Sequence, residues 1–108
     1  MKFSITESKL NKVIFNYLNL KHFIKKEIND RIYFLYNIDD EYAQIRYNDG
    51  LCFIYYKLIE EISLFFSLQL SDSKQVIGKW VEDTLQMEVT NTTLKSTRTN
   101  TRLKIPFK

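Results

Sequence analysis

The spacing of apolar residues changes twice along this chain of 108 residues, and that change limits the possible folds more than any other feature. Near the N-terminus, apolar side chains recur at the three- and four-residue intervals of an amphipathic helix, over about residues 5–20. They then alternate singly, as in strands, until the helical spacing returns at Leu58. This order predicts an α+β domain.

The alternating region predicts an antiparallel meander of three to four strands, at about residues 21–28, 31–37, 42–48 and 51–57. Asp49-Gly50 separates the last two strands and favours a two-residue type I′ turn, because both residue types tolerate positive φ. Closing the hairpin there sets three pairs on one predicted buried face: Tyr47 with Cys52, Ile45 with Ile54, and Ala43 with Tyr56.

Two helices are predicted after the meander, one from about Leu58 and one over about residues 73–87. Ser71-Asp72-Ser73 offers N-caps for the second of these helices, and Trp80 is expected on its buried side. Gly78 lies inside it, where glycine costs about 1 kcal/mol relative to alanine. A close backbone contact at this position would explain the glycine, and so would a tolerated defect.

The C-terminal segment differs in charge from the rest of the chain. Residues 1–88 contain 11 basic and 13 acidic residues, whereas residues 89–108 contain five basic and no acidic ones. Six threonines between residues 90 and 101 disfavour a helix. The segment is therefore predicted to be an extended basic tail that follows a single domain of residues 1–88.

Three interpretations of this tail remain open. It can be an arm that completes a homo-oligomer, a solvated tail, or an arm that binds nucleic acid by neutralising phosphates. The first is favoured because apolar residues interleave with the charges and would provide contacts with a neighbouring subunit: Leu94, Leu103, Ile105 and Phe107.

The candidate binding residues fall into two groups. Aromatic and arginine side chains are expected on the sheet face opposite the core, where such residues can stack on bases and contact phosphate: Tyr42, Arg46, Phe53 and Tyr55. The favoured interpretation is that a helix, the tail or a second subunit covers this face, because a large exposed aromatic patch favours aggregation. The tail contributes four basic candidates: Lys95, Arg98, Arg102 and Lys104.

Residues suited to catalysis are scarce. Cys52 and His22 are the only residues of their kind, which excludes a disulfide within the chain and a thiolate zinc site. The hairpin register predicts a buried, inert Cys52, and His22 is expected at a helix-to-strand junction. The acidic clusters, including Glu60-Glu61, are interpreted as solvated surface, because adjacent side chains on a helix diverge by about 100°. No enzyme activity, metal or cofactor is predicted.

Hydropathy argues against a membrane protein. The chain has no run of eighteen apolar residues, and its first residues lack the apolar core of a signal peptide. A cytoplasmic location is therefore expected, in the host cytoplasm if the protein is viral.

Two resemblances bear on origin and function. The order of helix, antiparallel strands and helix is similar to the double-stranded-RNA-binding domain, but the helix that should begin with lysines begins here with Lys57-Leu58-Ile59-Glu60-Glu61, which is acidic. Ile5-Thr6-Glu7-Ser8, the IRYN and IYYKL segments and GKWVEDTLQMEV resemble small uncharacterised proteins of marine tailed phages. That likeness implies a viral origin and no particular chemistry.

Together these features predict a non-enzymatic binding or interaction protein that self-associates through its C-terminal arm. Its partner would be a second copy of the chain or another protein. The alternative is a nucleic-acid-binding accessory factor that uses the basic tail and the aromatic sheet face.

Overall fold

The computed structural model describes residues 4–95 and 103–106, which form three helices and a five-stranded sheet. The predicted α+β class is confirmed. The helices are α1 (Ser4–Asn19), α2 (Tyr56–Phe66) and α3 (Leu70–Leu85). The strands are β1 (Ile24–Ile28), β2 (Arg31–Leu35), β3 (Ile45–Asn48), β4 (Leu51–Tyr55) and β5 (Asn91–Lys95).

The first four strands form the predicted antiparallel meander, in the order β1-β2-β3-β4. Both of its two-residue turns have positive φ at both central residues, at Asn29-Asp30 (52° and 66°) and at Asp49-Gly50 (51° and 85°). This is the backbone of a type I′ turn, whose twist matches that of the flanking strands. The turns therefore set the register of the two hairpins, β1 with β2 and β3 with β4.

The register of the second hairpin is confirmed for the strand residues. Arg46 lies opposite Phe53, and the pairs Ile45–Ile54 and Tyr47–Cys52 are both present. The predicted pair of Ala43 with Tyr56 is wrong, because Tyr56 begins α2 and the Ala43 N–H donates to the Leu103 carbonyl oxygen at 2.9 Å. Ala43 therefore packs on the opposite face of the sheet from the one predicted.

The sheet separates two apolar clusters. The larger lies between the sheet and the three helices and contains, among others, Ile14, Phe34, Ile54, Ile62 and Trp80. The smaller lies on the other face and contains Tyr33, Leu35, Ala43 and Ile105. The C-terminal segment therefore contributes to the core of its own chain, since Leu103 and Ile105 are both buried.

The fifth strand was predicted only as extended chain. It pairs in parallel with β4, which is possible because α2 and α3 carry the chain back across the sheet. Its start is held by the hairpin turn, where the Gly50 carbonyl oxygen accepts bonds from the Thr90 N–H at 2.8 Å and the Thr90 hydroxyl at 3.1 Å. The Tyr47 hydroxyl also donates to the Glu88 carbonyl oxygen at 2.8 Å. These bonds tie the strand to the meander.

The third helix begins three residues earlier than predicted, and none of the proposed hydroxyl or carboxylate caps is used. Gln69 is the N-cap and makes no side-chain capping bond. Ser73 is instead buried, with its hydroxyl 2.7 Å from that of Ser63 on α2. A polar side chain at this position thus joins two helices, because a buried hydroxyl needs a partner.

Candidate interaction surfaces

The aromatic face of the sheet is closed around Arg46. The Arg46 guanidinium lies 4.3 Å from the centre of the Phe53 ring, and the Arg46 side chain is buried. Tyr33 lies opposite Arg46 in the neighbouring strand, and Ile105 packs in the same cluster as Tyr33 on this side of the sheet. Leu103 is also buried. Among the described residues, it is the C-terminal segment of the same chain that covers this part of the sheet. This part of the face therefore offers no surface on which bases could stack.

The other two aromatic candidates lie together at one end of the sheet. Tyr42 and Tyr55 line a single cavity of about 360 Å³, with Tyr36, Asn37, Asp40, Glu41 and Gln44. Two of the basic candidates pair with these tyrosines through the backbone: Lys104 forms a bridge with Tyr42, and Lys95 lies opposite Tyr55. Arg98 and Arg102 lie outside the described residues. The tertiary structure therefore places four of the eight predicted residues around one site.

The loop that forms this cavity is held by hydrogen bonds. The Asp40 carboxylate accepts bonds from the backbone N–H groups of Asn37 at 3.0 Å and Tyr36 at 3.2 Å. The Ile105 N–H donates to the Glu41 carbonyl oxygen at 2.9 Å, so the C-terminal segment holds the other side of the loop. Aspartate favours such turns because its side chain accepts bonds from nearby backbone groups. These bonds give a defined shape to this cavity, which is called the tyrosine cavity after Tyr36, Tyr42 and Tyr55 in its lining.

A polar cluster between α1 and α2 was missed by sequence analysis. The Tyr17 hydroxyl donates to Glu61 Oε2 at 2.5 Å, and Lys21 Nζ lies 2.6 Å from the same oxygen. The acidic clusters were predicted to be solvated surface. For Glu61 this prediction is wrong, because its carboxylate contacts Tyr17 and Lys21. Tyr17 lies in the last turn of α1 and Lys21 lies two residues beyond its end, so they are close in the sequence, but their partner is 44 residues away from Tyr17.

The pKa shifts in this cluster favour the ion pair. Burial raises the pKa of Glu61, but the hydrogen bonds from Lys21 and Tyr17 and the Lys21 charge leave it below its ordinary value. Burial lowers the pKa of Lys21, but its contacts with Glu61 and the tyrosines leave it above its ordinary value. Both groups are only partly buried, so screening by solvent limits the stability that this pair contributes.

An apolar patch lies beside the cluster. Leu64 is 77% exposed and Phe65 is 65% exposed, although Phe65 stacks on Tyr17 with 4.9 Å between ring centres. Both side chains line a shallow cavity with Lys57, Glu60 and Glu61. Its charged residues include both signs and select no particular class of partner.

The outer edge of β5 is a third surface. No strand pairs with this edge in residues 4–95 and 103–106, where β5 ends the sheet order. A groove of about 330 Å³ runs beside it, lined by residues 89–92 and by α3 residues Gln75, Gly78, Lys79 and Glu82. An added strand would contact both the edge and this helix.

Neither of the two residues that suggested nucleophilic chemistry lies in a reactive setting. His22 is exposed at the junction of α1 and β1, as predicted, and has a positive φ of 55°. Cys52 is buried, also as predicted, and burial raises the pKa of its thiol to about 12. Within the described residues, no group of three or more His, Cys, Asp or Glu side chains is placed to hold a metal ion.

We expect the Cys52 thiol of the folded protein to react with a disulfide reagent at pH 8 about a thousandfold more slowly than in denaturant, because the shift from 9.0 to about 12 reduces the thiolate fraction by that factor. The thiol's contribution to stability is complete below pH 9 and is lost as the pH rises towards 12. Absorbance assays of labelling with and without denaturant measure the ratio. Equal rates would show that Cys52 is accessible.

The described helices also bear on membrane association. None of them is both long enough and apolar enough to cross a membrane. Comparisons with protein-family models, with curated proteins and with solved structures find nothing that matches this chain.

Proposed function

We propose that this protein is a non-enzymatic interaction protein that forms a homodimer through its C-terminal arm. The outer edge of β5 supports this proposal most directly. A strand edge presents backbone N–H and C=O groups that pair readily with another strand. In the proposed dimer, β5 pairs in antiparallel fashion with β5 of a second copy and joins two five-stranded sheets into one.

The two edges of the sheet differ in a way that favours this choice. β1 has exposed Lys25 and Glu27 on either side of Lys26, and charged side chains are a common protection against edge pairing. β5 reads Asn-Thr-Thr-Leu-Lys and has no charge before its last residue. The unprotected edge is therefore β5.

The charges of β5 and α3 are compatible with a second copy as the occupant. Lys95 lies at the end of β5, so antiparallel pairing sets it towards the start of the other strand and away from the other Lys95. The α3 side of the groove contains one cation, Lys79, and one anion, Glu82. Two such faces meet across a two-fold axis with no net charge, which avoids the like-charge repulsion that disfavours association.

The proposal changes the expected contacts of the arm. Leu103 and Ile105 were expected to pack on a neighbouring subunit, but they are buried in their own chain. The association proposed here uses backbone hydrogen bonds of β5 and the adjoining face of α3. Phe107 lies outside the described residues.

The nucleic-acid alternative differs from the dimer in its dependence on salt. If the five basic residues of the tail each neutralised a phosphate of duplex DNA, the logarithm of affinity would fall against the logarithm of salt with a slope of about −4 to −5. Such binding near physiological salt, by a chain of monomer mass, would favour the alternative. The viral origin and the cytoplasmic location remain predictions.

We expect the wild-type protein to have twice the mass of one chain in solution and the Thr93→Lys variant to have the mass of a monomer. The substitution sets ammonium groups from both copies close together near the middle of the paired strands, where like charges disfavour pairing. Light scattering after size-exclusion chromatography measures the mass, and thermal unfolding verifies that the variant is folded.

The matched control is Asn16→Lys, which adds the same charge on the exposed side of α1 and should leave the dimer intact. A wild-type protein that stays monomeric at high concentration contradicts the proposal. So does a folded Thr93→Lys variant that keeps the mass of a dimer.

A further inference from the structure

From the lining of the tyrosine cavity we infer a second binding function, independent of the dimer: the cavity binds an organic cation, either a free alkylammonium compound or a cationic side chain. Three tyrosines form its aromatic lining: Tyr36, Tyr42 and Tyr55. Aromatic ring faces attract ammonium and guanidinium groups through their quadrupole, and aromatic cages bind quaternary ammonium in this way.

Two carboxylates give the lining of the cavity a negative charge. Asp40 and Glu41 line it, and no lysine or arginine is among the lining residues whose side chains the structure describes. At the lining itself these carboxylates disfavour a phosphate or carboxylate ligand, while the cations described nearby are Lys104, which pairs with Tyr42 in the backbone, and Lys21, which lies beside Tyr36. A metal ion is also a poor fit, because the described residues offer no group of three or more metal-ligating side chains. An organic cation can interact favourably with both the carboxylates and the aromatic ring faces.

The walls of the cavity are preorganised for a ligand. Tyr36 stacks on Phe23 with 5.3 Å between ring centres, so that ring is fixed from behind. Tyr42 is 37% exposed and is held by its backbone bridge to Lys104, while the Tyr55 N–H donates to the Gln44 carbonyl oxygen at 2.9 Å. Preorganisation lowers the entropy cost of binding.

The chain already pairs rings with cations next to this site. Lys21 Nζ lies 5.4 Å from the centre of the Tyr36 ring, and the Arg46 guanidinium lies 4.3 Å from the centre of the Phe53 ring. Both distances are within the roughly 6 Å at which such attraction operates. Tyr42 and Tyr55 provide the other two aromatic rings of the lining.

The test uses the full-length protein and two probes of nearly the same shape: choline, and 3,3-dimethylbutanol, which replaces the quaternary nitrogen with carbon. Chemical shifts of backbone amides are followed during titration. We expect choline to shift the amides of residues 36–44 and 55, and the neutral alcohol to bind at least about fivefold more weakly, since it lacks the charge that the rings attract. Binding of both probes with equal affinity overturns the inference, as does the absence of saturable choline binding.

Variants assign the site and the source of the cation. Tyr42→Ala should weaken choline binding by about three- to tenfold, whereas Tyr42→Phe should keep most of it, because the ring face is retained. Ile38→Ala, an exposed change in the same loop, is the matched control. An acetylated lysine-amide dipeptide tests the side-chain source: if it displaces choline, the natural cation belongs to a peptide, and if it does not, the cation is a free alkylammonium. Choline binding that Tyr42→Ala leaves unchanged places the ligand elsewhere and overturns the inference.

Discussion

Replacing Trp80 with alanine is expected to lower the free energy of unfolding by about 3–5 kcal/mol. Trp80 is 4% exposed and packs against Phe23 and Phe34, with ring centres 5.6 Å and 5.4 Å away. Its Nε1–H also donates to the Asn19 side-chain oxygen at 2.9 Å, which joins α3 to the end of α1. The change removes a large apolar surface and leaves a cavity between the helices and the sheet. Denaturant unfolding followed by circular dichroism measures the loss.

Two controls separate the roles of the ring. Trp80→Phe keeps an aromatic ring but loses the bond to Asn19, and should lower the free energy of unfolding less than the alanine variant. Leu64→Ala removes a side chain that is 77% exposed and should change the free energy of unfolding by less than about 0.5 kcal/mol. An unchanged melting temperature for Trp80→Ala would mean that Trp80 is not part of the core.

Replacing Gly78 with alanine is expected to destabilise the protein by about 1–3 kcal/mol, although alanine is the better helix former by about 1 kcal/mol. A β-carbon at residue 78 would lie 2.4 Å from the Thr92 Cγ2 atom, a distance that real atoms do not adopt. Threonine is β-branched and stiff at χ1, so α3 and β5 would have to separate. Chemical unfolding measures the destabilisation. Because β5 is the proposed dimer edge, the variant should also dimerise more weakly.

Thr92→Ser tests the cause of this effect, because it removes the methyl group that the alanine would strike. In the Thr92→Ser background, Gly78→Ala should cost little or even stabilise the protein, and the double-mutant cycle should give a favourable interaction energy between the two changes. The contact interpretation fails if Gly78→Ala stabilises the protein while Thr92 is present. In that case Gly78 is a tolerated defect, the alternative that the sequence left open.

The candidate sites show where sequence patterns are informative and where they are not. Alternation placed Arg46 and Phe53 on the face opposite the core, and the pairing of β3 with β4 confirms it. The aromatic composition favoured a covered face, but it could not identify the covering segment, because Ile105 reaches this side of the sheet from more than 45 residues further along the chain. The cavity formed by Tyr42 and Tyr55 likewise depends on a loop and a C-terminal bridge that no local pattern encodes.

The sequence alone determined the features that depend on neighbouring residues. These are the three helices from their apolar spacing, the four-stranded meander from its alternation, the hairpin register from Asp49-Gly50, and the burial of Trp80 and Cys52. Each follows from local backbone preference and from the removal of apolar side chains from water. Only the tertiary structure decided the parallel addition of β5, the move of Ala43 to the other face, the joining of Lys21 to Glu61 and the fit of Gly78 against Thr92. These depend on which distant segments meet, and that choice is made by packing across the whole domain.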